Sequence, residues 1–286
     1  MNNVALVLSS GGARGLAHIG AIDELEHNGY RIRSIAGSSM GALIGGMYAT
    51  GKLDDFKKWM MTIDKRKILS LIDLSLSISH IVKGDKIIDA LKEIVPDVNI
   101  EDLPIEYKAI ATDWENGREI VFTKGSLYEA IRASISIPLF FNPVWRDNMI
   151  LVDGGIINPL PLKQGSEMEG ELLVAVNVSG YYWGGDDKLK QFVETRRKTN
   201  RSLPIRILAS LLPNDIDVNY ISLVQRMCSL MIQQNAAMSI QLYHPDILVN
   251  IPANRFGCFD YDKMEKISKH GQIMMHKAIK DYEQRP

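Results

Sequence analysis

The chain has 286 residues, of which 46% are hydrophobic, and it sets 33 Lys and Arg against 34 Asp and Glu. That is enough apolar material for a large core in one or two domains, and the near-neutral charge argues against a nucleic-acid partner. Two cysteines, Cys228 and Cys258, lack metal-type spacing, which argues against a disulfide scaffold and for a reducing compartment.

The start, Met1-Asn2-Asn3, has no positive segment, and the apolar run behind it is too short for a signal peptide. No stretch approaches the roughly 20 apolar residues of a membrane span. The expected location is cytoplasmic or peripheral at a membrane, with export by a dedicated machine left open.

In chain order, residues 4–8 read as a strand, followed by the turn Ser10-Gly11-Gly12-Ala13-Arg14-Gly15 and a helix over 16–28 stopped by Gly29. A second strand, 32–36, leads into Gly37-Ser38-Ser39-Met40-Gly41 and a helix over 42–50. A helix over 85–95 starts at Asp85 as N-cap. Strands at 107–112 and 119–122 are joined by Asn116-Gly117 as a hairpin, and a helix follows over 128–134. A strand at 149–152 runs into Asp153-Gly154-Gly155, and another follows at 172–178. The stretch 179–187 reads as a loop or boundary. Beyond it, Tyr220, Leu223, Val224, Met227, Leu230 and Met231 fall at helical spacing and are expected to pack in the core. A late strand at 247–251 and a helix over 261–283 complete the reading.

Short apolar runs alternating with helices predict a three-layer α/β/α sandwich with a mainly parallel central sheet. Residues 1–180 are expected to form the core that carries both glycine turns and the Asp153-Gly154-Gly155 turn. Residues 181–286 are expected to form a mainly helical extension packed on the same domain. Both glycine turns then sit at carboxyl ends of strands, where such sheets place their sites.

Gly37-Ser38-Ser39-Met40-Gly41 matches the G-x-S-x-G nucleophile elbow, which presents a serine hydroxyl at a sharp strand-to-helix turn. A plain tight connection with Ser39 as a cap gives the same pattern. The first glycine turn leaves backbone N–H groups unpaired at a helix start, which suits a developing oxyanion. A serine needs a base. Six histidines are available: His18, His27, His80, His244, His270 and His276. Asp153 followed by His244 satisfies the acid–histidine order of an α/β-hydrolase, but Ser39 follows only two strands, too early for that fold. His18 reads as packing beside the sheet.

The two N-terminal turns, the Asp153-Gly154-Gly155 turn, Ala133-Ser134-Ile135-Ser136-Ile137-Pro138 with Leu139-Phe140-Phe141-Asn142-Pro143, and Asn158-Pro159-Leu160-Pro161 together resemble the patatin-like phospholipase family. That family carries G-G-G-x-R-G, G-x-S-x-G and D-G-G or D-G-A in this order. The resemblance spans about residues 4–179. Ser10 stands where the family usually has the first glycine of its oxyanion loop. The resemblance implies a Ser39–Asp153 dyad and an acyl-enzyme route, with an oxyanion hole around Gly11, Gly12 and Ala13, the N–H of Met40, and Arg14 supporting the loop. It implies a phospholipid, lysophospholipid or other fatty-acyl ester as substrate, and no cofactor or metal. Rival readings are a catalytically silent lipid-binding or regulatory protein on the same fold, and an acyltransferase.

Two segments are candidates for a membrane surface. Residues 65–82 begin with Lys65-Arg66-Lys67 and continue apolar, and also suit a lid. Residues 188–206 hold Lys188, Lys190, Arg196, Arg197, Lys198, Arg201 and Arg206 against the single Glu194. A core element and a solvated helix are the slightly favoured readings.

Overall fold

The computed structural model describes residues 2–63, 85–138, 140–167, 172–181 and 220–285. The segments 65–82 and 188–206, His80 and most of the 179–187 stretch lie outside the described residues.

Among the described residues eight strands form one sheet: β1 (Asn3–Leu8), β2 (Arg31–Ser38), β3 (Glu106–Asp113), β4 (Arg118–Phe122), β5 (Val144–Arg146), β6 (Met149–Asp153), β7 (Leu172–Gly180) and β8 (Ile247–Pro252). The order is β5-β6-β3-β2-β1-β7-β8, with β4 also on β3. The strands β3, β2, β1, β7 and β8 pair in parallel, as expected, while β4, β5 and β6 add antiparallel pairs that make the sheet mixed.

The pleat of β1 sorts the core into two layers. Val4, Leu6 and Leu8 face one side, with α1 (Ala17–His27), α2 (Met40–Ala49), α3 (Leu53–Met61), α4 (Asp85–Lys92), α5 (Leu127–Ser134) and α8 (Met264–Glu283) supplying its buried residues. Ala5 and Val7 face the other side, with Leu162 of α6 (Leu162–Ser166) and Ala236 of α7 (Tyr220–Tyr243). A strand buried on both faces has to be apolar at every position, which is how the 4–8 run reads.

The helices α1 and α8 cross at backbone contact. A Cβ on Gly20 would lie 1.9 Å from the Ser268 carbonyl oxygen, and one on Gly271 1.9 Å from that of Ala17. Glycine at both positions lets the two helix backbones touch. The strand β8 extends the sheet beside β7, so residues beyond 220 complete both the sheet and one helical layer.

One expectation is corrected at four of its six residues, the side chains of Tyr220 and Val224 lying outside the described residues. Leu223, Met227, Leu230 and Met231 are exposed rather than packed in the core, with Met227 54% accessible. The helix instead turns Gln233 and Ala236 inward, and Ser239 Oγ donates to the Leu160 carbonyl at 3.0 Å. Its apolar stripe has the period of a helix, but the smaller, more polar face fits the short side chains of Ala5, Val7 and Ala175. The elements β5 and α6, three and five residues long, are not among those read from the sequence, nor is α3, although its Leu53, Phe56 and Met60 fall at helical spacing and are buried.

Candidate active site

The first turn of the site is set by strain. Ser39 follows β2 with φ 54° and ψ −121°, a conformation that costs a non-glycine residue on the order of 1–3 kcal/mol. Its flanking glycines permit the turn. A Cβ on Gly37 would lie 2.5 Å from the Ala42 nitrogen, and one on Gly41 2.2 Å from the Leu8 carbonyl oxygen. The turn is held from outside the elbow. The Ser39 N–H donates to Ser134 Oγ at 2.8 Å, and Ser134 Oγ donates to the Ile110 carbonyl at 2.6 Å.

The carboxylate arrives from the opposite direction along the same strand edge. β4 occupies one side of β3, so β2 and then β6 share the other. Ser38 pairs with Ile110 and Asp153 with Ala111, which brings the two strand ends head to head. The Ser39 hydroxyl donates to Asp153 Oδ2 at 2.5 Å, and the Gly155 N–H donates to Oδ1 at 2.7 Å. Thr112 Oγ1 donates to the Asp153 carbonyl at 3.0 Å, and the Asp153 N–H donates to the Ser136 carbonyl at 2.9 Å. A Cβ on Gly154 would stand 2.2 Å from the Ile110 carbonyl oxygen, so only glycine lets the turn sit this close. Ser39 and Asp153 are both buried. Burial raises the Asp153 carboxyl to about 6, against the opposing pull of the Ser39 and Gly155 hydrogen bonds.

The glycine loop lies beside this pair. A Cβ on Gly155 would come within 2.7 Å of Ser10 Oγ and 2.9 Å of Asp153 Oδ1. Ser10 is absent from the residues with positive φ, whereas Gly12 has φ 57°, so serine is accommodated at the departing position. One sequence candidate has its N–H engaged elsewhere, and Arg14 braces the loop through its side chain. The Ala13 N–H donates to the Cys258 carbonyl at 2.9 Å. The buried Arg14 guanidinium donates to the carbonyls of Gly11 and Ala253 and to Ser179 Oγ. Gly11, Gly12 and Met40, the last at the first position of α2, remain the candidate N–H donors.

Among the described residues no histidine hydrogen-bonds to Ser39 or Asp153. His18 is fully buried, and its Nε2–H donates to the Ser9 carbonyl at 2.9 Å. Desolvation lowers its pKa to about 4, so it is neutral at physiological pH. His276 pairs with Glu24 at 2.7 Å between α1 and α8, and His270 stacks edge-on against Phe256. Among the described residues no group of three His, Cys, Asp or Glu is placed to hold a metal. No described helix is long and apolar enough to cross a membrane. Sequence reasoning missed the supporting hydroxyls of Thr112, Ser9 and Ser179. Ser134 lay within a motif already singled out, but its role is set by a contact across 95 residues.

The family profile described as patatin-like phospholipase matches residues 6–165, more than half of the chain. The chain belongs to the patatin-like phospholipase family. It is 49% identical over 177 residues to an uncharacterized NTE family protein of Mycobacterium bovis, covering 62% of this chain and 49% of that protein. It is 34% identical over 167 residues to the neuropathy target esterase of Drosophila persimilis, covering 56% of this chain and 12% of that protein. The matched part thus spans about half the length of the mycobacterial relative. Among solved structures, VipD of Legionella pneumophila superposes with a TM-score of 0.52 at 15% identity, covering 98% of this chain and 67% of that one. That likeness concerns the patatin fold alone.

Proposed function

We propose that this patatin-like protein is a lipid acyl hydrolase working through a Ser39–Asp153 dyad on phospholipids or lysophospholipids. The observation that carries this reading is the 2.5 Å hydrogen bond from Ser39 Oγ to Asp153 Oδ2. A free aspartate is a weak base at neutral pH. Burial brings Asp153 to about 6, closer to the working range of a general base while leaving it mostly ionised at pH 7. Asp153 takes the Ser39 proton as Oγ attacks the ester carbonyl. The tetrahedral oxyanion is met by the N–H groups of Gly11, Gly12 and Met40. Asp153 then passes the proton to the leaving alcohol, leaving an acyl group on Ser39. Water, deprotonated by the same carboxylate, attacks the acyl carbon and the bond to Ser39 Oγ breaks, Asp153 returning the proton to Oγ as the fatty acid leaves.

On this reading residues 1–180 carry the catalytic machinery, and residues 181–286 are an extension of the same unit, contributing β8 and α8. Vesicle contact through the basic residues of 188–206 is part of the proposal, as is a cytoplasmic, membrane-peripheral location. A serine-directed fluorophosphonate tests the core of it. It should label Ser39 in the wild type and nothing in Ser39→Ala, and the same variant should lose hydrolysis across short esters, lysophospholipids and phospholipids. Labelling of another serine, or an active Ser39→Ala, refutes the assignment. Product analysis with an added alcohol acceptor separates hydrolase from acyltransferase.

A further inference from the structure

We infer that Ser9 and Ser179 are positioning residues for the oxyanion cradle and fix the direction of the Gly11 N–H. The inference rests on Ser39 being the nucleophile. A trans peptide carries its C=O and N–H on opposite sides. Whatever grips the Ser10 carbonyl therefore aims the Gly11 N–H the other way.

Two hydroxyls grip that carbonyl. Ser9 Oγ donates to it at 3.1 Å and Ser179 Oγ at 3.2 Å. Both serines are buried. Each hydroxyl has one hydrogen to give, and each also accepts a bond that orients it. Ser9 Oγ accepts from the Val178 N–H at 2.9 Å, and Ser179 Oγ accepts from Arg14 Nη2 at 3.2 Å. Val178 and Ser179 belong to the C-terminal end of β7, so the sheet itself sets the angle of the cradle.

The neighbouring peptides follow the same logic. His18 Nε2–H holds the Ser9 carbonyl, while the Ser10 N–H is taken by the Pro159 carbonyl at 2.8 Å. Arg14 Nε holds the Gly11 carbonyl at 3.2 Å and so aims the Gly12 N–H. Three successive carbonyls are turned into the fold by side chains. The N–H groups of Gly11 and Gly12 are thereby fixed before substrate arrives, which is the preorganisation an oxyanion site needs.

Two hydroxyls on one acceptor back each other up. Losing either leaves the carbonyl gripped; losing both frees the peptide to rotate. The test compares wild type, Ser39→Ala, Ser9→Ala, Ser179→Ala, the double alanine variant, Ser9→Thr and Ser179→Thr on a soluble short-chain ester, with circular dichroism to verify folding. The single alanine variants should lose kcat by about threefold. The double variant should lose about 10²-fold, near the effect of removing one oxyanion donor. KM and the acidic limb of the pH profile should stay as in the wild type, because substrate contacts and the Ser39–Asp153 pair are untouched. At least one threonine variant, which keeps the hydroxyl, should retain wild-type kcat. A folded double variant with wild-type kcat, a loss in KM rather than kcat, or threonine variants as impaired as their alanine counterparts overturns the inference. If the double variant does not fold, single-variant losses without threonine rescue overturn it equally. A wild type inert to esters and to fluorophosphonate overturns the functional reading and this inference with it.

Discussion

Ser38 and Asp153 take consecutive pairing positions along one edge of β3, Ser38 opposite Ile110 and Asp153 opposite Ala111. One strand runs up this edge and the other runs down it, so the residue after Ser38 meets the carboxylate that ends β6. Side chains 114 positions apart in sequence are brought to 2.5 Å by sheet register rather than by a flexible loop.

The buried Asp153 carboxylate costs stability in its ionised form, the form the proposed chemistry needs. Its pKa is raised from 3.8 to about 6 on folding. The folded state therefore holds the proton more tightly than the unfolded chain. This stabilising contribution is fully present below the unfolded value and is lost as pH rises through about 6. The raised pKa corresponds to a cost on the order of 3 kcal/mol at neutral pH. Asp153→Asn should therefore fold at least as stably as wild type at pH 7, with a smaller advantage at acidic pH. The same variant should lose activity by about 10²-fold or more. Denaturant unfolding at both pH values, paired with ester kinetics, checks both halves. A destabilised Asn variant at pH 7 would contradict the assigned origin of the shift.

The pH–rate profile follows from the same group. As the proposed general base, Asp153 must be ionised in the free enzyme. kcat/KM should be flat above the carboxylate's pKa and fall about tenfold per pH unit below it, with the bend near 6. Burial keeps His18 neutral down to about 4, so it should contribute no bend in that region. His18→Gln and His244→Gln should cost far less than Asp153→Asn. A folded histidine variant as inactive as Asp153→Asn would point to a triad.

Much of this site is legible in the sequence because it is local. The elbow, the glycine loop and the Asp-Gly-Gly turn each need particular small residues within a few positions, and a Cβ at Gly37, Gly41 or Gly154 would strike backbone. Most of the long strands and helices are legible for the same reason, since burial imposes their periods. The supports are not local. Ser134, Ser179 and Thr112 act on groups reached only through the fold, and a lone serine or threonine leaves no pattern. Arg14 and Ala13 sit in the right loop, but their bonds to Ala253 and Cys258 depend on the loop after β8. The stripe on α7 misled because periodicity reports a face without saying whether it is covered.

Seven basic residues between 188 and 206 face a single acidic one in an otherwise near-neutral chain. Each basic residue close to an anionic membrane contributes roughly 1 kcal/mol, screened over about 8 Å at physiological salt. Vesicle binding should grow with anionic lipid and weaken with salt. Changing Arg196, Arg197 and Lys198 together to Gln should lower activity on vesicles and spare a soluble short-chain ester. Equal losses on both substrates would indicate a folding role instead.

Ser134 links the Ser39 backbone to the core strand. Its hydroxyl accepts from the Ser39 N–H and donates to the Ile110 carbonyl, so Ser134→Ala leaves two buried polar groups without their partner. Each orphaned group costs about 1–3 kcal/mol. Ser39 is also released from the bond that holds its φ of 54°. Both effects act in the same direction: the folded state weakens, and the elbow relaxes towards geometries that carry Oγ away from Asp153. Ser134→Ala should unfold at lower denaturant by a few kcal/mol and label more slowly with fluorophosphonate, while Ser134→Thr, which keeps the hydroxyl, should recover most of the labelling rate. Stability loss with an unchanged labelling rate would show that the Ser39 turn holds itself, through Gly37 and Gly41 alone.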